Sequence, residues 1–131
     1  MLKALAVWCR GIRGATTVES NSKEGIIQAT KELLQRMIAA NGVKGDDVCA
    51  AIFTATQDLN AEFPAVAARE LGWSNVALLC EQEMNVPDSL PRCLRILLLW
   101  NTEKAIDEVV HIYLKGAKGL RADLATAEPK E

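Results

Sequence analysis

Four side chains in this sequence, two guanidiniums, a phenol and a carboxylate that can pair with one of the cations, have the chemistry to build an anion site. They are Arg13 within RGIRGATTVE (10–19), Glu83 three residues past the apolar run Val76–Cys80, Arg95 inside CLRILLLW (93–100), and Tyr113 inside VVHIYL (109–114). Arg95 carries the strongest constraint, because burying a guanidinium in the most hydrophobic stretch of the chain costs several kcal/mol unless a carboxylate or bound anion lies beside it. Glu83, at a strand end before a proline-bearing turn, can be that carboxylate or a solvated loop residue. Arg13 has glycines on either side, which places a fixed cation where a first strand, running from Ala4 to Cys9, ends and the backbone can approach a ligand; a structural ion pair is the alternative. Tyr113 can equally be a core tyrosine with a satisfied hydroxyl, Cys80 a small buried hydrophobe, and Arg69 a surface charge.

The remaining chemistry is thin. There is no Ser/His/Asp order, no nucleophile elbow, no phosphate-cradling glycine loop and no HExxH, so covalent, metal-assisted and nucleotide-dependent reactions lack their parts. Cys9, Cys49, Cys80 and Cys93 form no CxxC pair, and with His111 as the single histidine no metal set is expected. No cofactor is expected either. Arginines, one carboxylate, a phenol and a thiol suit binding and polarising a small dianion rather than moving protons or groups. The net charge is −2, with both signs interspersed, which argues against nucleic acid and against a membrane surface as partners. The apolar run before Arg10 is shorter than the roughly 7–15 residues of a signal peptide and has Trp8 where a small residue belongs, so it reads as a strand. No stretch approaches the roughly 18 apolar residues of a membrane span. A soluble cytoplasmic protein with free thiols is the expectation.

These residues need elements to position them. At 131 residues the chain is long enough for one cored domain, expected over 1–120, with 121–131 a mobile tail that has little to bury. Ser20, Asn21 and Ser22 offer helix caps, and Asn21 with Glu24 has capping-box spacing. Ile26, Ile27, Thr30, Leu33, Leu34, Met37 and Ile38 then recur at helical spacing up to Asn41-Gly42. Val48–Ala55 reads as a buried strand, 56–62 as a polar loop, Pro64–Leu71 as a short helix, and Val76–Cys80, Cys93–Trp100 and Val109–Leu114 as strands, the second of them central. The order predicts an α+β domain: a mixed β-sheet with one long and one short helix on one face. The other sheet face would be open, so an oligomer whose sheets pack together is expected.

Several segments together resemble a known family: RGIRGATTVE (10–19), T-x-D-L at Thr56–Leu59 with FPA at Phe63–Ala65, AARELGW (67–73), CEQEM (80–84), SLPRCLRIL (89–97) and HIYLKGA (111–117). They span nearly the whole chain and look like a monofunctional chorismate mutase of the AroH class, the Bacillus type. The resemblance implies a homotrimeric pseudo-α/β barrel, a fold shared with RidA-like proteins, with active sites at subunit interfaces. It also implies a 3,3-rearrangement of chorismate to prephenate in phenylalanine and tyrosine biosynthesis. By the same resemblance, Arg13 binds a substrate carboxylate, Arg95 reaches the ether oxygen and a carboxylate, Glu83 with Cys80 holds the ring hydroxyl, and Tyr113 donates to a carboxylate. Phe63, Ala65, Arg69 and Leu114 would line the pocket from the neighbouring subunit, together with the tail near Arg121. Val66, Leu79 and Ala122 depart from the Bacillus type, which has lysine, threonine and proline there; polar help from the first two places is absent or supplied otherwise. Two other readings use the same residues: a non-catalytic trimer that binds small dianions, and a RidA-like imine deaminase, which would leave the Glu83 and Arg95 pair unexplained.

Overall fold

The computed structural model describes residues 6–120. Five strands form one mixed sheet: β1 (Trp8–Thr17), β2 (Val48–Ala55), β3 (Ala77–Gln82), β4 (Cys93–Thr102) and β5 (Ile112–Tyr113), in the order β3-β2-β4-β1-β5. β4 lies at the centre, antiparallel to both β1 and β2, while β2 with β3 and β1 with β5 run parallel. The helices α1 (Lys23–Asn41) and α2 (Ala65–Glu70) pack with the sheet into one core, matching the expected α+β layering.

Strand alternation decides which residues that core receives. Ile12 of β1, Ala51 and Phe53 of β2, and Leu94, Ile96 and Leu98 of β4 are buried with Leu33, Leu34 and Met37 of α1. Residues of the opposite parity, among them Ile52, Leu97 and Leu99, are only half-buried, and Leu79 of β3 is 54% exposed. One apolar face of the sheet is thus bare in the single chain.

The first strand differs from expectation. It begins at Trp8 rather than Ala4 and runs unbroken through both glycines, so Arg13 sits in mid-strand opposite Leu97 and not at a strand end. The glycine at 14 serves the helix: a Cβ there would collide with Met37 Sδ and stand 3.1 Å from Leu33 Cδ1, so its absence lets α1 lie close on the strand. The expected capping box is also replaced. Ser22 is the N-cap, its hydroxyl accepting from Gly25 N–H at 3.0 Å. At the far end Gly42, with φ of 70°, closes α1 and donates to Ile38 O. The last strand shrinks to two residues because the chain before it is held by side chains instead. Asn41, 1% exposed at the end of α1, accepts from Val110 N–H and donates to Val110 O and Met37 O. Arg121, Ala122 and the tail lie outside the described residues, as does the start of the expected first strand.

Candidate active site

Arg95 stands on the bare face of the central strand, with Ala15 of β1 on one side and Thr54 of β2 on the other. The chain leaving β3 stays zipped to β2 for one more residue, Glu83 N–H donating to Ala55 O at 2.9 Å. That contact brings the Glu83 carboxylate alongside Arg95. Arg95 Nε meets Glu83 Oε2 at 3.0 Å, and the Thr54 hydroxyl donates to the same oxygen. Of the two partners expected for Arg95, a carboxylate or a bound anion, the structure shows a carboxylate, that of Glu83. The expected burial is not found: the Arg95 side chain is 46% exposed and that of Glu83 21%, because parity points Arg95 away from the helices. Cys93, two residues before Arg95 and buried, has its thiol pushed up in pKa by burial, with Arg95 beside it pulling the other way, so no thiolate competes for the guanidinium.

Arg13 lies exposed on the same face, and its guanidinium has no ion pair among the described residues. Its backbone N–H donates to His111 Nδ1 at 2.9 Å, which ties the approach to β5 against β1. Tyr113 is the next element of that wall, 4% exposed, opposite Ala15 and packed with Ala15 and Ala117. Arg13, Thr54, Glu83, Arg95, Leu97 and Tyr113 line one cleft of about 320 Å³. Two cations, two carboxylates (Glu81 beside Glu83) and one phenol thus converge in a cleft whose sequence segments lie as far apart as positions 13 and 113.

The other expected residues are elsewhere. Phe63, 68% exposed, and Cys80 line a separate cleft of about 510 Å³ with Leu59, Asn60, Glu62 and Gln82. Cys80 and Glu83 are three residues apart at the end of a strand, and Cys80 packs toward the helix side with Leu78; among the described residues they line different clefts. Ala65 and Leu114 are buried in the core, and Arg69 is exposed on α2. Arg121 lies outside the described residues.

Side chains that the sequence reading assigned to no site hold these clefts in place, among them Asn21, which was expected only as a helix cap. Thr54 is one, hidden as a threonine in a β-leaning run where strand propensity alone explains it. Asn21 is another: its Oδ1 accepts from Asn60 N–H and Ala61 N–H, each at 3.0 Å, which fixes the loop leading to Phe63. Asp58 is the third. Its carboxylate accepts from the Thr56 hydroxyl at 2.5 Å and from Arg92 N–H at 2.9 Å, and Thr56 Oγ1 in turn accepts from Cys93 N–H at 3.0 Å, which pins the start of β4. The Thr56 hydroxyl, followed by the Arg92 N–H, holds the Asp58 carboxyl below the ordinary carboxylate range. Among the described residues no group of three or more His, Cys, Asp or Glu side chains could hold a metal ion, and no helix is long and apolar enough to cross a membrane.

Comparison with known proteins shows the family. The family model for chorismate mutase type I matches residues 9–124. The chain is 52% identical over 120 residues to a Thermus thermophilus protein named chorismate mutase AroH, covering 91% of this chain and 98% of the relative. It is 45% identical over 123 residues to the Bacillus subtilis protein of the same name, covering 93% and 97%. A solved chorismate mutase from Clostridium thermocellum superposes with a TM-score of 0.82 at 47% identity, covering 82% of this chain and 96% of that one. With the family model matching across residues 9–124 and relatives 52% and 45% identical over nearly their whole length, this chain belongs to the chorismate mutase type I family.

Proposed function

We infer that this chain is an isomerase that converts chorismate to prephenate, a step of aromatic amino-acid biosynthesis. The observation that carries the reading, beside family membership, is the convergence of Arg13, Glu83, Arg95 and Tyr113 in one cleft. The reaction is unimolecular: one C–O bond breaks as one C–C bond forms, and no proton leaves or arrives. A site for it must hold a flexible dianion in its compact form and stabilise the negative charge that grows on the ether oxygen. Arg13 and the Tyr113 hydroxyl suit the first task, as charge-assisted donors to carboxylates. Arg95 suits the second. Its Nε is taken by Glu83, so its terminal nitrogens are the ones left to meet the ether oxygen and a carboxylate. Glu83 acts as an acceptor that orients, toward both Arg95 and the ring hydroxyl.

The complete site requires more than one chain. Three copies packing their bare sheet faces together would cover Ile52, Leu79, Leu97 and Leu99 and close a barrel of sheets with the helices outside. The same packing would bring the cleft of one subunit, with Phe63 and Cys80, against the Arg13, Glu83, Arg95 and Tyr113 cleft of the next. Cys80 then contributes to the ring hydroxyl site from the Phe63 side, across the interface from Glu83, and Arg69 and Arg121 join from the same neighbouring chain. Such an enzyme works in the cytoplasm on a soluble substrate. Neither a non-catalytic dianion binder nor an imine deaminase finds support among the relatives. The test is to incubate purified protein with chorismate, follow the loss of its absorbance and identify the product. Prephenate supports the reading, and absence of turnover refutes it.

A further inference from the structure

The Glu83 carboxylate is held from two strands at once. Arg95 Nε reaches Oε2 from β4 at 3.0 Å, and the Thr54 hydroxyl donates to that same oxygen from β2. Thr54 and Arg95 are direct partners in the antiparallel β2–β4 register, so both donors rise from adjacent points of one face. Thr54 also lines the cleft that holds Arg13, Arg95 and Tyr113. A glutamate carboxylate turns broadly about its last torsion, and a single bond to Arg95 would leave that rotation free. A β-branched side chain, in contrast, is stiff about χ1, so the threonine hydroxyl is a fixed point. The backbone of Glu83 is fixed too, through Ala55 O.

We infer that Thr54 is a positioning residue for the rearrangement: its hydroxyl clamps Oε2 of Glu83 between β2 and β4. The clamp sets the plane of the carboxylate, and hence both the direction of its remaining lone pairs and the attitude of the Arg95 guanidinium paired with it. Without the hydroxyl the carboxylate and guanidinium are free to turn together into pairings that withdraw them from a ligand. This role rests on the isomerase reading above.

The test compares Thr54→Val, which keeps the shape and loses the hydroxyl, with Thr54→Ser, which keeps the hydroxyl, and with Thr54→Ala. Steady-state chorismate turnover and thermal unfolding are measured on each. Losing a hydrogen bond to a charged group corresponds to about a ten- to hundredfold fall in kcat for Thr54→Val and Thr54→Ala. Thr54→Ser, which keeps the donor on an unbranched and more mobile side chain, is expected to lose clearly less than Thr54→Val, with KM changing little in all three, since the clamp acts on the geometry of the reacting complex. If Thr54→Val and Thr54→Ala turn over like the wild type, or if they lose only thermal stability with kcat intact, the role is overturned. Loss in Thr54→Ser equal to that in Thr54→Val overturns it as well, because the hydroxyl would then not be the active feature. Failure of the wild-type chain to form prephenate removes the reaction itself, an outcome separate from an active wild type with an equally active Thr54→Val.

Discussion

Replacing Arg95 by alanine separates catalysis from stability. In the single chain the Arg95 side chain is 46% exposed and pairs with a partner that is 21% exposed, on the face of β4 that points away from the helical core. Exposed ion pairs contribute about 0.2–1 kcal/mol to folding, so removing this one is expected to lower the unfolding midpoint by only a few degrees. The catalytic loss is of another size. A cation aimed at charge that develops in the transition state behaves as an oxyanion donor does, where loss of one donor costs about 3 kcal/mol, or about two decades in rate. Arg95→Ala is therefore expected to give a circular dichroism spectrum and melting curve close to the wild type, with kcat/KM for chorismate down at least about a hundredfold. Citrulline at position 95 keeps the shape and several donors but not the charge, and should be nearly as damaging if charge is the active feature. Turnover by Arg95→Ala within about threefold of the wild type would refute the electrostatic role of Arg95.

Other substitutions probe the scaffold. Gly14→Ala places a Cβ against Met37 and Leu33 and should destabilise by about 1–3 kcal/mol, seen as a lower denaturant midpoint at unchanged slope; a neutral result would deny the close approach of α1 to β1. Asn41→Ala strips the partners from Val110 N–H and O and should cost about 2–3 kcal/mol in the same measurement. The Asp58 carboxyl has its folded pKa lowered, by the Thr56 hydroxyl first, so its contribution is fully present above the unfolded carboxylate value of about 3.9 and is lost as pH falls through the lower folded value. Asp58→Asn should therefore lower stability at neutral pH and flatten the fall in stability below about pH 4. An acid limb as steep as in the wild type would assign that limb to other carboxylates.

Much of this was legible in the sequence because alternation and burial leave few choices. An arginine within CLRILLLW called for a carboxylate or a bound anion, and Glu83 follows the preceding strand in sequence; in the sheet β2 lies between those two strands, and Glu83 reaches Arg95 because the chain past β3 stays paired to Ala55. The 3.6-residue spacing from Ile26 to Ile38 located α1, and Asn41-Gly42 located its end. The misreadings have local causes. Glycines on either side of Arg13 read as strand breakers, yet Gly14 is required by a helix packed above it, a tertiary demand with no local signal. Burial of Arg95 was inferred from its neighbours, but parity in a strand with one bare face sends alternate residues outward. The same parity separates Cys80 from Glu83, and there the odd spacing was itself a usable clue. Val109–Leu114 has strand composition throughout, while Asn41 and His111 take up backbone groups of Val110 and Arg13 that a longer β5 ladder would otherwise arrange. Thr54 could not be distinguished from an ordinary strand threonine until Glu83 was placed beside it.

Subunit complementation tests directly whether one site draws on two chains. Arg95→Ala disables the cleft that carries the charged groups, and Phe63→Asp sets a carboxylate in the other cleft, against a dianionic substrate. Each variant alone should be inactive. Mixed in equal amounts with subunit exchange, a random trimer has an intact pairing of clefts at about a quarter of its interfaces, so about a quarter of wild-type chorismate turnover should return. If both clefts served one chain's own site, mixing would restore nothing, and the shared-site assignment would be contradicted.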